Sequence, residues 1–356
     1  MSAETAELID PRKGEEVDIS RVEPYLRAHL PRSDGPFSLR QFGGGHANLT
    51  YEVRFGVDEY VLRRPPLGPI APSAHDMKRE HRVLATLPDV YALAPRSYLY
   101  CDDKTLIGAE FHVMERRHGI VIRSDLPERH KGDLALARRI GEMMVDNLAA
   151  LHRADAAAAG LADLGRPEGY VQRQLDGWTK RWHAAKDKDL PHVDAMEAWL
   201  HSRVPQPQSV SLLHNDYKLD NMIVDAKDPG RAIAVLDWDM CTRGDPLMDL
   251  GYMLNYWSEA GDDPAWRQAA FMPTWYPGFL NRRQAVERYA RQTGFTVDDV
   301  RWYHVFGVFK LTGVIQQIYI RYLRGQTADA RFAAFGQRVA TLAEKGCAII
   351  AGEAGP

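Results

Sequence analysis

Polar residues are concentrated in one stretch of the sequence, His214-Asn215-Asp216-Tyr217-Lys218-Leu219-Asp220-Asn221, between the short apolar runs Leu212-Leu213 and Met222-Ile223-Val224. Asp237 comes directly after a third apolar run, Ile233-Ala234-Val235-Leu236. Polar side chains at strand ends and in loops can be held rigidly in a cleft, so we expect the chemistry here. Three carboxylates and an amide, those of Asp216, Asp220, Asp237 and Asn221, are thus gathered near two strand ends. Such oxygen ligands suit Mg²⁺, which proteins commonly hold with one or two carboxylates and substrate phosphates.

The composition of the 356-residue chain is that of a globular protein, with 45% hydrophobic and 26% charged residues. These proportions exclude disordered, collagen-like and coiled-coil chains. The length suggests two compact units, or one enzyme fold with two lobes. A net charge of −3 gives no general attraction to nucleic acid or to anionic membranes, so neither is expected as a partner.

The cysteines and the N-terminus bear on the cellular compartment. Cys101, Cys241 and Cys347 lie far apart and form no C-x-x-C pair, so neither a disulfide framework nor a zinc site is expected. The first residues are acidic and lack the apolar run of a secretory signal. No stretch approaches the ~18 apolar residues of a membrane span. We therefore expect a cytoplasmic protein.

The first third of the chain has the alternating pattern of short strands. Apolar and polar residues alternate from Phe37 to Arg64, with interruptions at Gly43-Gly44-Gly45 and Val57-Asp58-Glu59, which predicts three strands joined by turns. Apolar residues at near-helical spacing then predict a helix over Asp76–Leu87. Two more strands are expected on either side of a polar turn, at Tyr98–Tyr100 and Glu110–Met114.

Long helical patterns dominate the chain from about residue 130 onward. The clearest runs over Leu134–Ala159 and places its apolar residues on one stripe. Residues 1–20 are polar and are expected to form a flexible N-terminal extension. The sequence therefore predicts an α+β fold with a small β-rich N-lobe over residues 21–116 and a larger, mainly helical C-lobe over residues 117–356.

The spacing H-x-D-x-x-x-x-N at residues 214–221 is also that of the protein-kinase catalytic loop. With this loop the sequence resembles the aminoglycoside phosphotransferase and choline kinase superfamily, over about Phe37 to Gly325. It is most similar to the kinase-like domain at the N-terminus of acyl-CoA dehydrogenase family members 10 and 11, and to free-standing bacterial relatives. The segments that carry this closer likeness are Tyr60–Pro66, Ala74–Glu80, His214–Asn221, Leu236–Asp239, Gly244–Leu250 and Arg321–Gly325. The resemblance implies a protein-kinase-like fold that uses ATP and Mg²⁺.

Roles for the central residues follow from this resemblance. It implies that Asp216 is the catalytic base, or orients the acceptor hydroxyl, and that Asn221 and Asp237 hold Mg²⁺ on the ATP phosphates. These roles suit phosphoryl transfer, which needs positioning and charge neutralisation above all. His214 is expected to bond nearby backbone, and Asp249 to fix the backbone of the catalytic loop. A structural turn is the alternative for Asp216 and Asn221.

Three further polar residues lie close to this set in the sequence. Lys218 either contacts the γ-phosphate or is solvated. Asp239 either makes an outer-sphere contact with the metal or is solvated. Asp220 is expected to be a loop residue without a metal role.

Gly43, Gly44, Gly45 and Asn48 lie between two predicted strands, so they do not form the strand-to-helix turn of a P-loop or Rossmann fold. The segment fits a β-hairpin lid whose backbone N–H groups approach the ATP phosphates, because glycine tolerates positive φ and close approach. A plain hairpin turn gives the same pattern and is the alternative.

Arg63 stands where protein kinases have a strand lysine. An arginine can still neutralise the α- and β-phosphates and pair with a helix carboxylate, for which Glu80 is the candidate. Strand alternation places Arg63 and Arg64 on opposite faces without deciding which face meets the cleft, and we favour Arg63. The hinge beside the adenine is expected where the β-rich lobe ends, at Met114, Glu115 and Arg116, with an ordinary edge strand as the alternative.

The C-terminal part of the chain is comparatively basic, with twelve Lys and Arg against eight Asp and Glu from residue 261 onward. This weighs against polycationic aminoglycosides, which need acidic pockets. The closer resemblance suggests a hydroxyacyl-CoA as the acceptor. Its anionic groups are predicted to meet Lys310, Arg321 and Arg324, for which a solvated helix face is the alternative.

Our interpretation is an ATP- and Mg²⁺-dependent phosphotransferase acting on a hydroxyl of a small metabolite, a hydroxyacyl-CoA by resemblance, with a functional link to an acyl-CoA dehydrogenase. An aminoglycoside or amino-alcohol (choline-like) kinase is the alternative enzyme. A nucleotide-binding pseudokinase is the alternative of another class, motivated by Arg63 in place of the lysine. A protein kinase is disfavoured because no Ala-Pro-Glu segment follows Asp237.

Overall fold

The computed structural model describes residues 8–43, 48–66, 76–327 and 329–356. Its smaller lobe is built on a six-stranded antiparallel sheet with the strand order β1-β2-β3-β4-β6-β5. The strands are β1 (Leu8–Ile9), β2 (Phe37–Phe42), β3 (Leu49–Phe55), β4 (Asp58–Arg64), β5 (Ser97–Cys101) and β6 (Phe111–Glu115). Three helices accompany this sheet, namely α1 (Ile19–His29), α2 (Met77–Thr86) and α3 (Lys104–Ile107).

The two faces of this sheet have different coverings. Helix α1 packs on one face, where Val22 and Leu26 join an apolar cluster that includes Leu62. The other face belongs to a cluster that spans both lobes and includes Val61 of β4 together with residues of α2. Because side chains alternate along a strand, Arg63 shares the second face with Val61.

The larger lobe is mainly helical. Its helices are α4 (Leu134–Arg153), α5 (Tyr170–Ala185), α6 (Pro191–His201), α7 (Leu247–Tyr256), α8 (Pro264–Ala270), α9 (Arg282–Thr293), α10 (Val300–Leu323) and α11 (Phe335–Ala351). Its strands are β7 (Ser211–Leu213), β8 (Met222–Val224), β9 (Ala232–Val235) and β10 (Thr242–Gly244). This division into a small β-rich lobe and a large helical lobe is the protein-kinase-like α+β fold that the sequence predicts.

Two strand pairs bring the polar segments of the larger lobe together. Strand β7 pairs with β10, and β8 pairs with β9, both antiparallel. The loop from β7 to β8 holds residues 214–221, and the segment from β9 to β10 begins with Leu236 and Asp237. Since each of these strands is paired with a strand of the other segment, the two polar segments lie side by side.

The described part of residues 1–20 is not a flexible extension, which corrects the prediction. Strand β1 pairs with β2, with Leu8 opposite Phe42. The carbonyl oxygen of Glu15 accepts hydrogen bonds from Tyr51 at 2.5 Å and Arg64 at 2.9 Å. Residues of this segment thus bond the sheet. Helix α1, which begins at the end of the segment, was also missed by the sequence prediction.

Two element boundaries differ from the sequence prediction. The helix expected over Leu134–Ala159 ends at Arg153, and a turn carries the alanine-rich continuation. The polar turn expected after β5 contains the short helix α3, whose N-cap Asp103 accepts from the amide of Thr105 at 2.9 Å. In the described part of the chain, no helix is long and apolar enough to cross a membrane.

Candidate active site

Asp249, near the start of α7, fixes the backbone of the loop between β7 and β8. One carboxylate oxygen accepts from the amide of His214 at 2.6 Å, and the other from the amide of Asn215 at 2.7 Å. Burial opposes ionisation of Asp249, but hydrogen bonds from His152 and from the loop outweigh it and lower its pKa. Asp249 is wholly buried, so it contacts the loop from behind.

His214 is also buried, and its ring bonds only backbone among the hydrogen bonds described. Its Nε2 lies 2.8 Å from the carbonyl oxygen of Leu236, and its Nδ1 lies 3.2 Å from the amide of Asp216. One tautomer, with the proton on Nε2, satisfies both partners. The ring thus joins the loop that carries Asp216 to the residue that precedes Asp237.

Asn215 has a left-handed backbone conformation, with φ of 66°, which is uncommon for a residue other than glycine. Its side-chain amide nitrogen donates to the carbonyl of Met240 at 2.9 Å, and its side-chain oxygen accepts from the Tyr170 hydroxyl at 2.8 Å. Its carbonyl oxygen accepts from Lys310 Nζ at 2.7 Å. Several elements therefore hold the residue that immediately precedes Asp216.

Asp216 lies at the cleft with its side chain 20% exposed. Its Oδ2 accepts from Lys218 Nζ at 2.6 Å and from the side-chain nitrogen of Asn221 at 2.8 Å. The same Asn221 nitrogen donates to the Asp216 carbonyl at 2.9 Å. Because the nitrogen makes both bonds, the amide oxygen is the atom of Asn221 that could hold a metal.

Asp237 follows β9, also in a left-handed conformation, with φ of 70°. Its carboxylate contacts the guanidinium of Arg63. Burial opposes ionisation of Asp237, but the charge and hydrogen bond of Arg63 lower its pKa. The pKa of Asp239 is instead raised to about 7, because that carboxyl is buried close to Asp237 and Glu80. The cleft concentrates negative charge, which suits a divalent cation.

Arg63 also forms the predicted ion pair with Glu80 of α2, and the Glu80 side chain is fully buried. The other oxygen of Glu80 lies 3.2 Å from His112 Nε2, and Glu80 Oε1 accepts from the amide of Trp238 at 3.3 Å. The carboxylates of Glu80 and Asp237 thus hold Arg63 between the lobes. Glu80 also links the small lobe to Trp238, the residue after Asp237.

Arg64 lies on the opposite face of β4 and is fully buried. It donates to the carbonyl of Ile107 at 2.6 Å and to the Tyr51 hydroxyl at 2.9 Å. These contacts hold the small lobe together from behind. Of the two arginines, Arg63 is the one at the cleft.

The donor set fits an open magnesium site. Among residues 8–43, 48–66, 76–327 and 329–356, no three His, Cys, Asp or Glu side chains form a group that could enclose a metal ion. Asn221 and Asp237 lie at the ends of neighbouring polar segments and offer one amide and one carboxylate. Mg²⁺ is commonly bound by one or two such oxygens, with waters and substrate phosphates completing its shell.

The predicted lid and hinge are described in part. Gly44 and Gly45 lie outside the described residues. The carbonyl of Gly43 accepts from Arg12 at 2.6 Å, and Asn48, just before β3, is buried. Of the three predicted hinge residues, Met114 is buried on the cleft face of β6. The Glu115 amide donates to the carbonyl of Arg96 at 2.8 Å. The Arg116 guanidinium lies 4.7 Å from the Phe42 ring centroid.

The three basic residues predicted to meet an anionic acceptor are not brought together. Lys310 is 6% exposed and donates to the carbonyl of Asn215, in the loop of residues 214–221. Arg321 and Arg324 are exposed at the end of α10. Eleven residues separate Lys310 from Arg321, which is roughly 16 Å along a helix. Lys310 therefore does not form one anion site with the two arginines, because it points into the lobe.

Three contributors to the site were missed from sequence. Asn215 and Tyr170 bond each other and fix the loop of residues 214–221, and His112 supports Glu80. Asparagine is enriched among residues with a left-handed backbone, so an asparagine at position 215 is a sequence signal for this conformation. Tyr170 and His112 lie in ordinary helical and strand patterns, so nothing local marks them.

Comparison with known proteins agrees with this geometry. The model of the phosphotransferase enzyme family matches residues 38–292. The chain belongs to this family. Two curated relatives are acyl-CoA dehydrogenase family member 11 of Gallus gallus, 31% identical over 94% of this chain, and family member 10 of Mus musculus, 30% identical over 94%. The chain spans 44% of the first and 31% of the second, less than half of either.

Two solved structures share the fold. An aminoglycoside phosphotransferase-like protein of Ralstonia eutropha is 30% identical, with a TM-score of 0.80 over 94% of this chain and 98% of its own. An aminoglycoside phosphotransferase solved with AMP-PNP and hygromycin B is 18% identical, with a TM-score of 0.55 over 94% and 99%. The predicted resemblance to the phosphotransferase superfamily is confirmed.

Proposed function

We propose that this protein transfers the γ-phosphoryl group of ATP, in the presence of Mg²⁺, to a hydroxyl group of a small molecule. The observation that carries the proposal is the hydrogen-bonded pair Asp216 and Asn221, 2.8 Å apart, beside Asp237. Arg63 reaches the same place from the small lobe and contacts Asp237. A base, a metal-binding amide and carboxylate, and a phosphate-binding cation thus converge. The AMP-PNP complex of a protein with this fold supports ATP as the donor.

Each residue has a defined task in this proposal. Asp216 accepts a hydrogen bond from the acceptor hydroxyl and takes its proton during transfer. Arg63 binds the α- and β-phosphates. Lys218, 2.6 Å from Asp216, offers a positive charge near the transferred group. Asn221 and Asp237 would hold Mg²⁺, which when bound neutralises the charge of the phosphate oxygens.

A hydroxyacyl-CoA is the proposed acceptor. The relatives named acyl-CoA dehydrogenases support this choice, and a dehydrogenase is the proposed functional partner. Two aromatic faces close to Asp216 are already covered by lysines. Lys310 Nζ lies 3.8 Å from the Tyr252 ring centroid, and Lys218 Nζ lies 5.5 Å from that of Tyr256. A cationic amino alcohol or aminoglycoside would meet these charges, so a neutral or anionic acceptor is favoured.

ADP release tests the proposal. Purified protein is assayed with Mg-ATP against 3-, 4- and 5-hydroxyacyl-CoAs, choline, homoserine and several aminoglycosides. We expect turnover with a hydroxyacyl-CoA that Asp216→Ala reduces by roughly 10²–10⁴ with ATP affinity retained. The matched control is Asp220→Asn on the same loop, because Asp220 bonds Arg123 at 2.6 Å and has no assigned role.

The other outcomes separate the alternatives. Turnover confined to aminoglycosides or amino alcohols would contradict the proposed acceptor and leave the proposed phosphoryl transfer standing. Tight binding of Mg-ATP without transfer to any alcohol would favour the pseudokinase. An Asp216→Ala variant as active as wild type would contradict the assigned base.

A further inference from the structure

Lys310 is a buried lysine whose ammonium group contacts the catalytic loop. It lies in the middle of α10, is 6% exposed, and donates to the carbonyl of Asn215 at 2.7 Å. Its Nζ also lies 3.8 Å from the Tyr252 ring centroid and 6.0 Å from that of Trp178. A buried ammonium over an aromatic face gains more from the cation–π interaction than an exposed one does. The charge of Lys310 therefore contributes to holding it against the loop.

The residue that Lys310 contacts has a left-handed backbone conformation, with φ of 66°. A non-glycine residue in the left-handed region is uncommon, and its conformation depends on the surroundings that fix it. Asn215 is fixed at its amide by Asp249, at its side chain by Tyr170 and Met240, and at its carbonyl by Lys310. This carbonyl belongs to the peptide bond that leads into Asp216. A change at Lys310 therefore acts directly on the direction in which Asp216 points.

The electrostatic surroundings of Lys310 are mixed. Burial lowers the pKa of Lys310 to about 8. Nearby carboxylates raise this pKa, and nearby cations lower it. The charged and titratable groups that face it from the catalytic loop, α7 and α5 are Asp216 and Asp249, which favour its charged form, Lys218 and Arg181, which oppose it, and Tyr252 beneath it. Because its usual pKa is about 10.4, Lys310 titrates in a range where most lysines stay charged.

We propose that Lys310 is a positioning residue that holds the Asn215–Asp216 peptide in its working conformation through its charged ammonium. The proposal deepens the proposed phosphotransferase function and rests on it for its kinetic part. Loss of the proton removes the charge-assisted hydrogen bond and the cation–π contact together. The left-handed conformation at Asn215 then loses one of its supports, and Asp216 is less well aligned.

Amide hydrogen exchange tests the structural part without any acceptor. Exchange of the peptide that contains residues 214–217 is measured between pH 6.5 and 9.5 and corrected for the intrinsic rate. We expect protection in the wild type to fall by about 10-fold above pH 8, and Lys310→Met to show this lower protection at every pH. Wild-type protection in Lys310→Met across the whole range would overturn the proposal.

The matched control is Lys345→Met. Lys345 is another buried lysine, on α11, whose Nζ donates to a backbone carbonyl, that of Asn255 at 2.8 Å. Its pKa is lowered to about 7 by burial, so it is chemically similar and contacts a different segment. We expect Lys345→Met to keep the wild-type exchange of residues 214–217. An equal loss of protection in this control would overturn the specific role of Lys310.

Kinetics provide the second readout, with Mg-ATP and the 4-hydroxyacyl-CoA of the ADP-release panel as substrates. We expect wild-type kcat to fall above about pH 8, Lys310→Met to lower kcat by about 10- to 100-fold with no such alkaline fall, and KM for ATP to change little. Lys310→Arg keeps a charge at high pH and should move the fall above pH 10. An alkaline fall at the same pH in Lys310→Met would overturn the proposal. Absence of wild-type turnover would count against the proposed function alone, because the exchange experiment still decides the role of Lys310.

Discussion

Arg63 and Asp237 contact each other across the cleft, although 174 residues separate them in the sequence. Arg63 lies on β4, which pairs with β6 in the sheet of the small lobe. Asp237 follows β9 of the large lobe. The cation proposed for the phosphates therefore touches the carboxylate proposed for the metal. Incoming phosphates would meet both groups at once. We expect loss of Arg63 to weaken binding of the phosphates and loss of Asp237 to weaken binding of Mg²⁺.

Arg63→Met should weaken Mg-ATP binding and destabilise the fold. The substitution leaves the buried Glu80 without its guanidinium, and breaking a buried ion pair costs roughly 3–5 kcal/mol. Calorimetric titration and urea unfolding measure the two effects. The double variant Arg63→Met with Glu80→Gln removes the unpaired charge, so it should recover part of the stability and none of the ATP affinity. Unchanged ATP affinity in Arg63→Met would contradict the assignment to the phosphates.

Asp237→Asn should raise the Mg²⁺ concentration needed for half-maximal ADP release. A direct ligand is expected to matter by at least about 10-fold, since outer-shell partners alone cost 10- to 100-fold. The control is Asp225→Asn, because Asp225 likewise follows a strand, β8, but accepts from the amide of Lys227 at 2.7 Å in an exposed turn. Equal Mg²⁺ dependence in both variants would show that Asp237 does not bind the metal.

Asp249→Asn should lower both stability and kcat. The two carboxylate oxygens of Asp249 accept from the backbone amides of His214 and Asn215. The side-chain NH₂ of an asparagine would face one of these amides, so that buried amide would lose its acceptor, which costs roughly 1–3 kcal/mol of stability. The pKa of Asp249 is lowered in the folded state, so its contribution is complete above the usual carboxyl pKa and is lost as the pH falls below that value. Urea unfolding from pH 3 to 7 should show a difference between wild type and variant that is constant above pH 5 and shrinks below pH 4. A difference that does not vary with pH would mean that ionised Asp249 is not the source.

Lys345 should make stability rise with pH. Its folded pKa of about 7 lies below the usual lysine value, so between the two values the unfolded chain binds more protons and the free energy of unfolding increases as the pH is raised. Lys345→Met lacks this group. We expect wild-type stability minus that of the variant to increase steadily from pH 7 to pH 9.5 in urea unfolding. A difference that stays flat would show that Lys345 titrates normally.

The loop of residues 214–221 could be predicted because its information is local. The spacing from Asp216 to Asn221 places both side chains on one tight loop, and the flanking apolar runs become strands β7 and β8. Alternation likewise predicted β2, β3 and β4 within residues 37–64. A period of two residues specifies a strand and its two faces without any knowledge of the partner strands.

The tertiary structure decided which residues serve those local motifs. Alternation put Arg63 and Arg64 on opposite faces, and only the packing of α1 against one face left Arg63 at the cleft. The helical pattern predicted that Lys310 meets an anionic acceptor, with a solvated helix face as the alternative. Helix α10 is instead buried along residues 302–313, so the ammonium of Lys310 reaches Asn215. Helical or strand periodicity fixes which side chains share a face. Which face is buried, and which distant loop it meets, depends on contacts between segments that are far apart in the sequence.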